Sequence, residues 1–223
     1  IETISGIEFG TPWKKYHCPE VHIVGLGFDP ANETLRKQAE RLCRSRDDRN
    51  ERMCEKLTSL GLAVSMEELQ ENAGGAHFAN VLLKKGYIEN RAEAFEKYIS
   101  PGLPGYVERK MVTPEACIRT IKEAGGAAVL AHPTLYSLHM EQLEELCAEL
   151  IGYGLDGIEC YYSTYTAEER KAMERLAEKM HLLPSGGSDF HGRNKPNIGL
   201  GRGKGNLEIS YRVWEALKQR CKD

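Results

Sequence analysis

The chain has 223 residues, 41% of them hydrophobic and 28% charged, which is the composition of an ordinary globular protein with room for one large domain and an insertion. A net charge of −3 excludes the globally basic surface of many nucleic-acid-binding proteins, so an anion site must be a local patch. No apolar run reaches the roughly 18 residues of a membrane span, and seven scattered cysteines without a Cys-x-x-Cys pair favour a reduced, cytoplasmic protein.

The first 28 residues contain two strand-like runs. Residues 1–10 alternate and include β-branched side chains, with Glu8 near the predicted end of the strand, before a turn-like Gly-Thr-Pro. Residues 21–28 are apolar on both sides of His22, which lies near the start of this run. Because the chain begins at Ile1 directly in a strand-like pattern, we expect that it is a fragment and that earlier strands lie upstream.

Residues 30–111 change to helical periodicity. Apolar residues recur at helical spacing from Leu35 to Leu60, and shorter helices are predicted over 66–72, 77–85 and 91–99. The first helix carries eight basic and five acidic residues over 36–56, and Arg46 and Arg49 are candidates to contact an anion. With little strand signal here, the pattern predicts an all-helical insertion between two α/β halves.

Strands and helices alternate again after the insertion. Thr113-Pro114 predicts the start of a helix, and short buried strands are predicted at 127–131, 157–162 and 182–188. A helix that begins with a capping box at Thr166 separates the last two strands, and a final helix covers 211–220. This alternation predicts an α/β fold with a parallel sheet or barrel.

Several candidate metal ligands share one predicted place. Glu8, His132, Asp189 and His191 each lie at the carboxyl end of a predicted strand, where α/β folds build their sites, whereas His22 fits this less well. Three histidines and two carboxylates suit Zn, Mn or Fe and could hold two ions if Glu8 or Asp189 bridges them. Such a site supports attack of a metal-activated water on phosphorus.

Several short segments resemble, in their order, motifs of the PHP (polymerase and histidinol phosphatase) superfamily. They are Gly6-Ile7-Glu8, Val21-His22-Ile23-Val24-Gly25, Leu130-Ala131-His132-Pro133, Gly157-Ile158-Glu159 and Gly187-Ser188-Asp189-Phe190-His191-Gly192. The helical stretch resembles the insertion of the branch that acts on 3′,5′-nucleotide bisphosphates and RNA 5′ ends, through Ala76-His77-Phe78-Ala79, Ala94-Phe95-x-Lys97-Tyr98 and Tyr106-Val107. The resemblance implies a distorted (β/α)₇ barrel formed by 1–29 and 112–223, with a substrate lid formed by 30–111.

The same resemblance implies a metal-dependent phosphoesterase that uses two or three Mn, Fe or Zn ions and acts on a nucleotide or short oligonucleotide, with no membrane or stable protein partner. Its metal ligands would be Glu8, His22, His132, Asp189 and His191, with Glu8 bridging the ions and with Glu8, Asp189 and His191 as the catalytic groups. Substrate phosphates would be held by side chains of the insertion and of the basic loop after His191. These are His77, Lys97, Arg46, Arg49, Arg193 and Arg202.

The sequence departs from the family pattern at two places. The opening His-x-His motifs are not in the chain and are expected upstream of Ile1, so turnover by this chain alone is in question. Gly75 stands where the family usually has an arginine, so one phosphate contact is lost or comes from elsewhere. Two alternatives stay open: a histidinol-phosphate-type phosphomonoesterase, and a non-catalytic module that binds nucleotide or metal.

Overall fold

The structure is a computed structural model that describes residues 2–69 and 73–221, without the side chain of Arg193. The chain divides into two compact units. One comprises Ile1–Arg36 and Met111–Asp223, and the other comprises Lys37–Lys110. Among the described residues, no helix combines the length and the apolar composition needed to cross a bilayer.

The sheet belongs to the first unit and, in the described part of the chain, has five strands in sequence order. They are β1 (Gly6–Lys15), β2 (Cys18–Leu26), β3 (Ala127–Leu130), β4 (Gly157–Tyr162) and β5 (Leu183–Gly187). β1, β2 and β3 pair antiparallel, and β3, β4 and β5 pair parallel. A mixed α/β fold is therefore confirmed, and the predicted parallel pairing holds for β3 to β5 only.

β1 and β2 form a hairpin that the sequence did not indicate. The loop is Tyr16-His17, and both residues have positive φ angles (51° and 59°), as in the two-residue turns that match strand twist. The predicted end of β1 at Gly10 is wrong, because the strand continues through Pro12 to Lys15. Proline is tolerated there because β1 pairs with β2 alone among the described strands, so Pro12 lies on an edge. Glu8 consequently lies near the beginning of its strand.

The helices of the second unit begin with α1 (Glu33–Ser59), whose first residues belong to the first unit. α2 (Gly75–Lys84) and α3 (Arg91–Ala94) follow, and a π-helical turn continues α3 over Phe95–Ile99. The helix predicted over 66–72 is only a 3₁₀ turn, Met66–Glu68, and residues 70–72 lie outside the described residues. The core of this unit includes the fully buried Met53, Leu57, Phe78 and Leu82.

Four helices of the first unit alternate with its strands. They are α4 (Pro114–Glu123), α5 (Met140–Gly152), α6 (Ala167–Lys179) and α7 (Tyr211–Lys218). The predicted caps are present, since the Thr113 hydroxyl accepts the Ala116 N–H and the Thr166 hydroxyl accepts the Glu169 N–H. All four residues of β3 are completely buried, which explains its uninterrupted apolar sequence.

Candidate metal centre

Glu8 and His22 meet on one face of the β1–β2 hairpin. Glu8 lies opposite Val24, and His22 is two residues from Val24 along β2. Because side chains alternate along a strand, Glu8 and His22 are diagonal neighbours on the same face. Glu8 Oε1 lies 2.6 Å from His22 Nδ1.

His132 approaches the same carboxylate from the end of β3. β2 and β3 pair with Ile23 opposite Leu130, and the Ala131 N–H donates to the His22 carbonyl at 3.0 Å. The chain then turns at His132, whose φ of 30° and ψ of 53° lie in the left-handed region. This turn places His132 Nε2 3.2 Å from Glu8 Oε1.

Glu8, His22 and His132 form a group that we call the metal triad. One potential ligand atom from each lies within 4.8 Å of the other two. His132 Nδ1 is buried and has no hydrogen-bond partner among the described residues. A carboxylate and two imidazoles are a donor set for Zn, Mn or Fe, and an unsatisfied buried nitrogen beside them calls for a partner such as an ion. The triad therefore fits a divalent cation.

Hydrogen bonds within and beside the metal triad shift the pKa values of Glu8 and His22. Burial alone would raise the pKa of Glu8, but hydrogen bonds from His132 and His22 hold that pKa far below its usual range. Burial would lower the pKa of His22, but hydrogen bonds to Glu20 and Glu8 outweigh it and raise the pKa to about 9. The Glu8 carboxylate thus stays ionised, and His22 would release its proton on binding a cation, because only the neutral imidazole is a ligand.

Asp189 faces the same cavity, although it is not a member of the triad. The cavity has a volume of about 270 Å³ and is lined by Glu8, His132, Glu159 and Asp189, together with backbone and apolar groups of β1, β2 and Ala131. Asp189 follows β5 with a φ of 52°. Carboxylates and an imidazole from both halves of the sheet therefore line one cavity.

Three side chains hold the Asp189 carboxylate. The Tyr162 hydroxyl donates to Asp189 Oδ2 at 2.5 Å, and the Lys195 ammonium pairs with the same oxygen. His191 Nδ1 lies 3.0 Å from Asp189 Oδ1 and 2.9 Å from its backbone oxygen. His191 therefore lies beside Asp189, as their spacing suggested. The contacts of Tyr162 and Lys195 with Asp189 were not predicted. The basic residues after His191 were the available signal for Lys195.

Glu159 supports His132 from β4. Its Oε2 accepts the His132 backbone N–H at 2.7 Å, which stabilises the left-handed turn. Burial raises the pKa of Glu159 to about 8, and the nearby charges of Glu8 and Asp189 add to this effect.

The predicted phosphate-binding side chains of the second unit have local partners. His77 Nδ1 accepts the Gly74 N–H at 3.1 Å, Lys97 pairs with Glu93 at 2.8 Å, and Arg49 donates to Asn50 at 2.6 Å. The Arg193 side chain lies outside the described residues. Phosphate contacts by His77, Lys97, Arg46, Arg49, Arg193 and Arg202 stay predictions.

Gly75 is explained by packing within the second unit. A Cβ atom at this position would lie 3.2 Å from Phe95 Cε1, which is tighter than ordinary van der Waals contact. An arginine here would therefore require the Phe95 ring to shift.

Comparison with known proteins shows the family to which the chain belongs. It is 35% identical over 227 residues to the 5′-3′ exoribonuclease Rnm of Escherichia coli (strain K12), covering 96% of this chain and 75% of that protein. It is 29% identical to the 3′,5′-nucleoside bisphosphate phosphatase of Chromobacterium violaceum, covering 99% of this chain and 78% of that protein. The chain belongs to the PHP-type metal-dependent phosphoesterases. No protein-family model matches it.

Solved structures agree with this family. An amidohydrolase from Chromobacterium violaceum, with bound sulfate and no metal, superposes with a TM-score of 0.78 and 29% identity over 97% of this chain and 76% of that one. A protein of Bifidobacterium adolescentis assigned as a metal-dependent phosphoesterase gives a TM-score of 0.76 and 27% identity over 99% of this chain and 77% of that one. The prediction of a metal-dependent phosphoesterase is thus confirmed, whereas the roles of individual residues stay predictions.

Proposed function

We propose that this PHP-type phosphoesterase hydrolyses a phosphate ester of a nucleotide, either a 3′,5′-nucleotide bisphosphate or the 5′ end of a short RNA. The observation that carries the proposal is the grouping of Glu8, His22 and His132, two of which, Glu8 and His132, line the same cavity as Asp189. The names of the two curated relatives support a nucleotide or RNA as substrate. A cytoplasmic location stays a prediction.

The metal ligands in this proposal are the triad together with Asp189 and His191. Two or three ions of Mn, Fe or Zn, when bound, would supply an activated water and neutralise charge on the phosphate oxygens. Glu8 is central because its carboxylate contacts both triad histidines. Tyr162 orients the Asp189 carboxylate towards its ligand role.

Substrate phosphate would be held by cations close to these ligands. Lys195 is the best-supported member of the basic loop, because it already contacts Asp189. With Asp189 engaged by an ion, the Lys195 ammonium would be free to donate to a phosphate oxygen. In this proposal residues 1–29 and 112–223 form a distorted (β/α)₇ barrel, and residues 30–111 form a substrate lid.

The test is phosphate release from 3′,5′-adenosine bisphosphate with Mn²⁺, measured for this chain and its variants. We expect release that is lost in His132→Ala and retained in His139→Ala, a matched change of an exposed histidine outside the cavity. Release that survives His132→Ala would contradict the site. Cleavage of histidinol phosphate instead would reassign the substrate, and Mn²⁺ binding without cleavage of either compound would favour a binding module.

A further inference from the structure

Strands β2 and β3 contain an irregular hydrogen-bonded pair beside the metal triad. In a regular antiparallel ladder, the two residues of such a pair exchange two N–H···O=C bonds. Since Ile23 lies opposite Leu130, continuing the ladder places His22 opposite Ala131. Of the two bonds expected between them, the Ala131 N–H makes one, to the His22 carbonyl at 3.0 Å.

The Tyr136 hydroxyl replaces the second bond. It accepts the His22 N–H at 2.8 Å and donates to the Ala131 carbonyl at 2.7 Å. Both hydrogen-bonding roles of the hydroxyl are thus used, and its oxygen lies between two backbones that would otherwise bond directly. The Tyr136 ring also meets the His132 ring edge-on, with centroids 5.7 Å apart and an interplanar angle of 62°.

This irregularity lies at the point where the two triad histidines leave their strands. His22 provides one side of the bridged pair, and Ala131 immediately precedes His132. Without the hydroxyl, the His22 N–H and the Ala131 carbonyl would either stay unpaired or close into a direct bond. Either change would move the backbone that leads into His132 relative to His22, and both imidazoles contact the same Glu8 oxygen.

We propose that Tyr136 is a positioning residue of the metal centre, whose hydroxyl sets the spacing between the His22 and His132 imidazoles. The inference rests on the proposed function, because it requires the triad to bind metal. It predicts that Tyr136→Phe, which removes the hydroxyl and keeps the ring, has a larger effect on metal affinity than on the stability of the metal-free protein.

The test compares Tyr136→Phe with Tyr165→Phe. Tyr165 is also a buried tyrosine of this ring cluster, but its hydroxyl accepts the Thr134 N–H at 3.5 Å, away from the triad backbone. Mn²⁺ affinity would be measured by electron paramagnetic resonance titration, and the melting temperature would be measured without metal. We expect Tyr136→Phe to weaken Mn²⁺ binding by about tenfold or more, as loss of a partner of a metal ligand does, and Tyr165→Phe to leave it unchanged. The Co²⁺ absorption spectrum should change in Tyr136→Phe only.

The remaining outcomes separate this inference from the proposed function. A lower metal-free melting temperature with unchanged Mn²⁺ affinity would make Tyr136 merely structural and would overturn the inference. Equal losses of affinity in both phenylalanine variants would also overturn it. If His22→Ala binds Mn²⁺ as tightly as the unchanged protein, the metal triad itself is refuted, and the role of Tyr136 with it.

Discussion

The two halves of the sheet present their functional side chains in different ways. In the parallel half, formed by β3, β4 and β5, His132 and Asp189 each lie just beyond the end of a strand and have positive φ angles of 30° and 52°. In the antiparallel half, the β1–β2 hairpin, Glu8 and His22 lie inside their strands with ordinary extended backbones. The hairpin reaches the cavity through side-chain alternation alone, whereas the parallel half uses strained turns that neighbours such as Glu159 stabilise.

The largest expected effect is on Mn²⁺ affinity, where one variant in each half of the sheet compares their contributions to metal binding. Glu8→Gln keeps the shape of the side chain but removes the charge that both triad histidines contact, so we expect Mn²⁺ affinity to fall by at least about 100-fold. Asp189→Asn, in the parallel half, should cause a smaller loss because Asp189 lies outside the triad. Isothermal titration calorimetry with Mn²⁺ would measure both. A greater loss in Asp189→Asn would show that the parallel half is the main binding element.

The next prediction concerns the ion pairs that anchor each half. In the parallel half, the mostly buried Asp156 carboxylate accepts hydrogen bonds from Lys122 at 2.7 Å and from the Ala128 N–H at 2.8 Å. Asp156→Asn should lower the free energy of unfolding by about 2–3 kcal/mol, because hydrogen bonds to a charged group are lost in a region shielded from water. Urea unfolding followed by circular dichroism would measure this change.

A matched control for Asp156→Asn is available at the hairpin. Glu145 pairs with Lys15 at 2.8 Å and accepts the Tyr16 hydroxyl, but these groups are exposed to solvent. Glu145→Gln should therefore change stability much less than Asp156→Asn does. If the two variants lose the same stability, the contrast between a buried anchor in one half and an exposed anchor in the other is wrong.

The sequence revealed the parallel half more fully than the hairpin, for a physical reason. β3 and β5 are short runs bounded by helix signals and glycines, so their ends, and with them His132 and Asp189, were predictable from local pattern. The hairpin contains Pro12, which normally argues against a strand, and its turn is the unusual pair Tyr16-His17. Its edge position, which makes Pro12 acceptable, is a tertiary property.

The candidate site shows the same division. The metal ligands of the resemblance were named from motifs, but the partners of these ligands were not. Tyr136 and Tyr162 were not predicted at the site, because their roles depend on hydrogen bonds between residues 114 and 27 positions apart. No local pattern encodes such contacts.

The smallest expected effect concerns thiol reactivity, which reports on local opening in the two halves. Burial raises the pKa of Cys117 in α4, Cys147 in α5 and Cys160 in β4 to about 12, so only ~10⁻⁴ of each thiol is ionised at pH 8. Cys18, near the hairpin tip, is also buried and its pKa is raised, but this end of β2 is paired with the edge strand β1 and lies outside the β2–β3 ladder, so it opens locally at lower free energy. Because the thiolate is the reactive form, raising the pH towards 9 should accelerate all of these reactions.

We therefore expect Ellman's reagent, with modified peptides identified by mass spectrometry over time, to label the exposed Cys43 first, then Cys18, and Cys117, Cys147 and Cys160 last. Cys18→Ser serves as the control that assigns the intermediate phase. If Cys160 reacts as fast as Cys18, the parallel half opens as readily as the hairpin. The ligands on the two halves would then differ in backbone geometry but not in the stability of the strands that carry them.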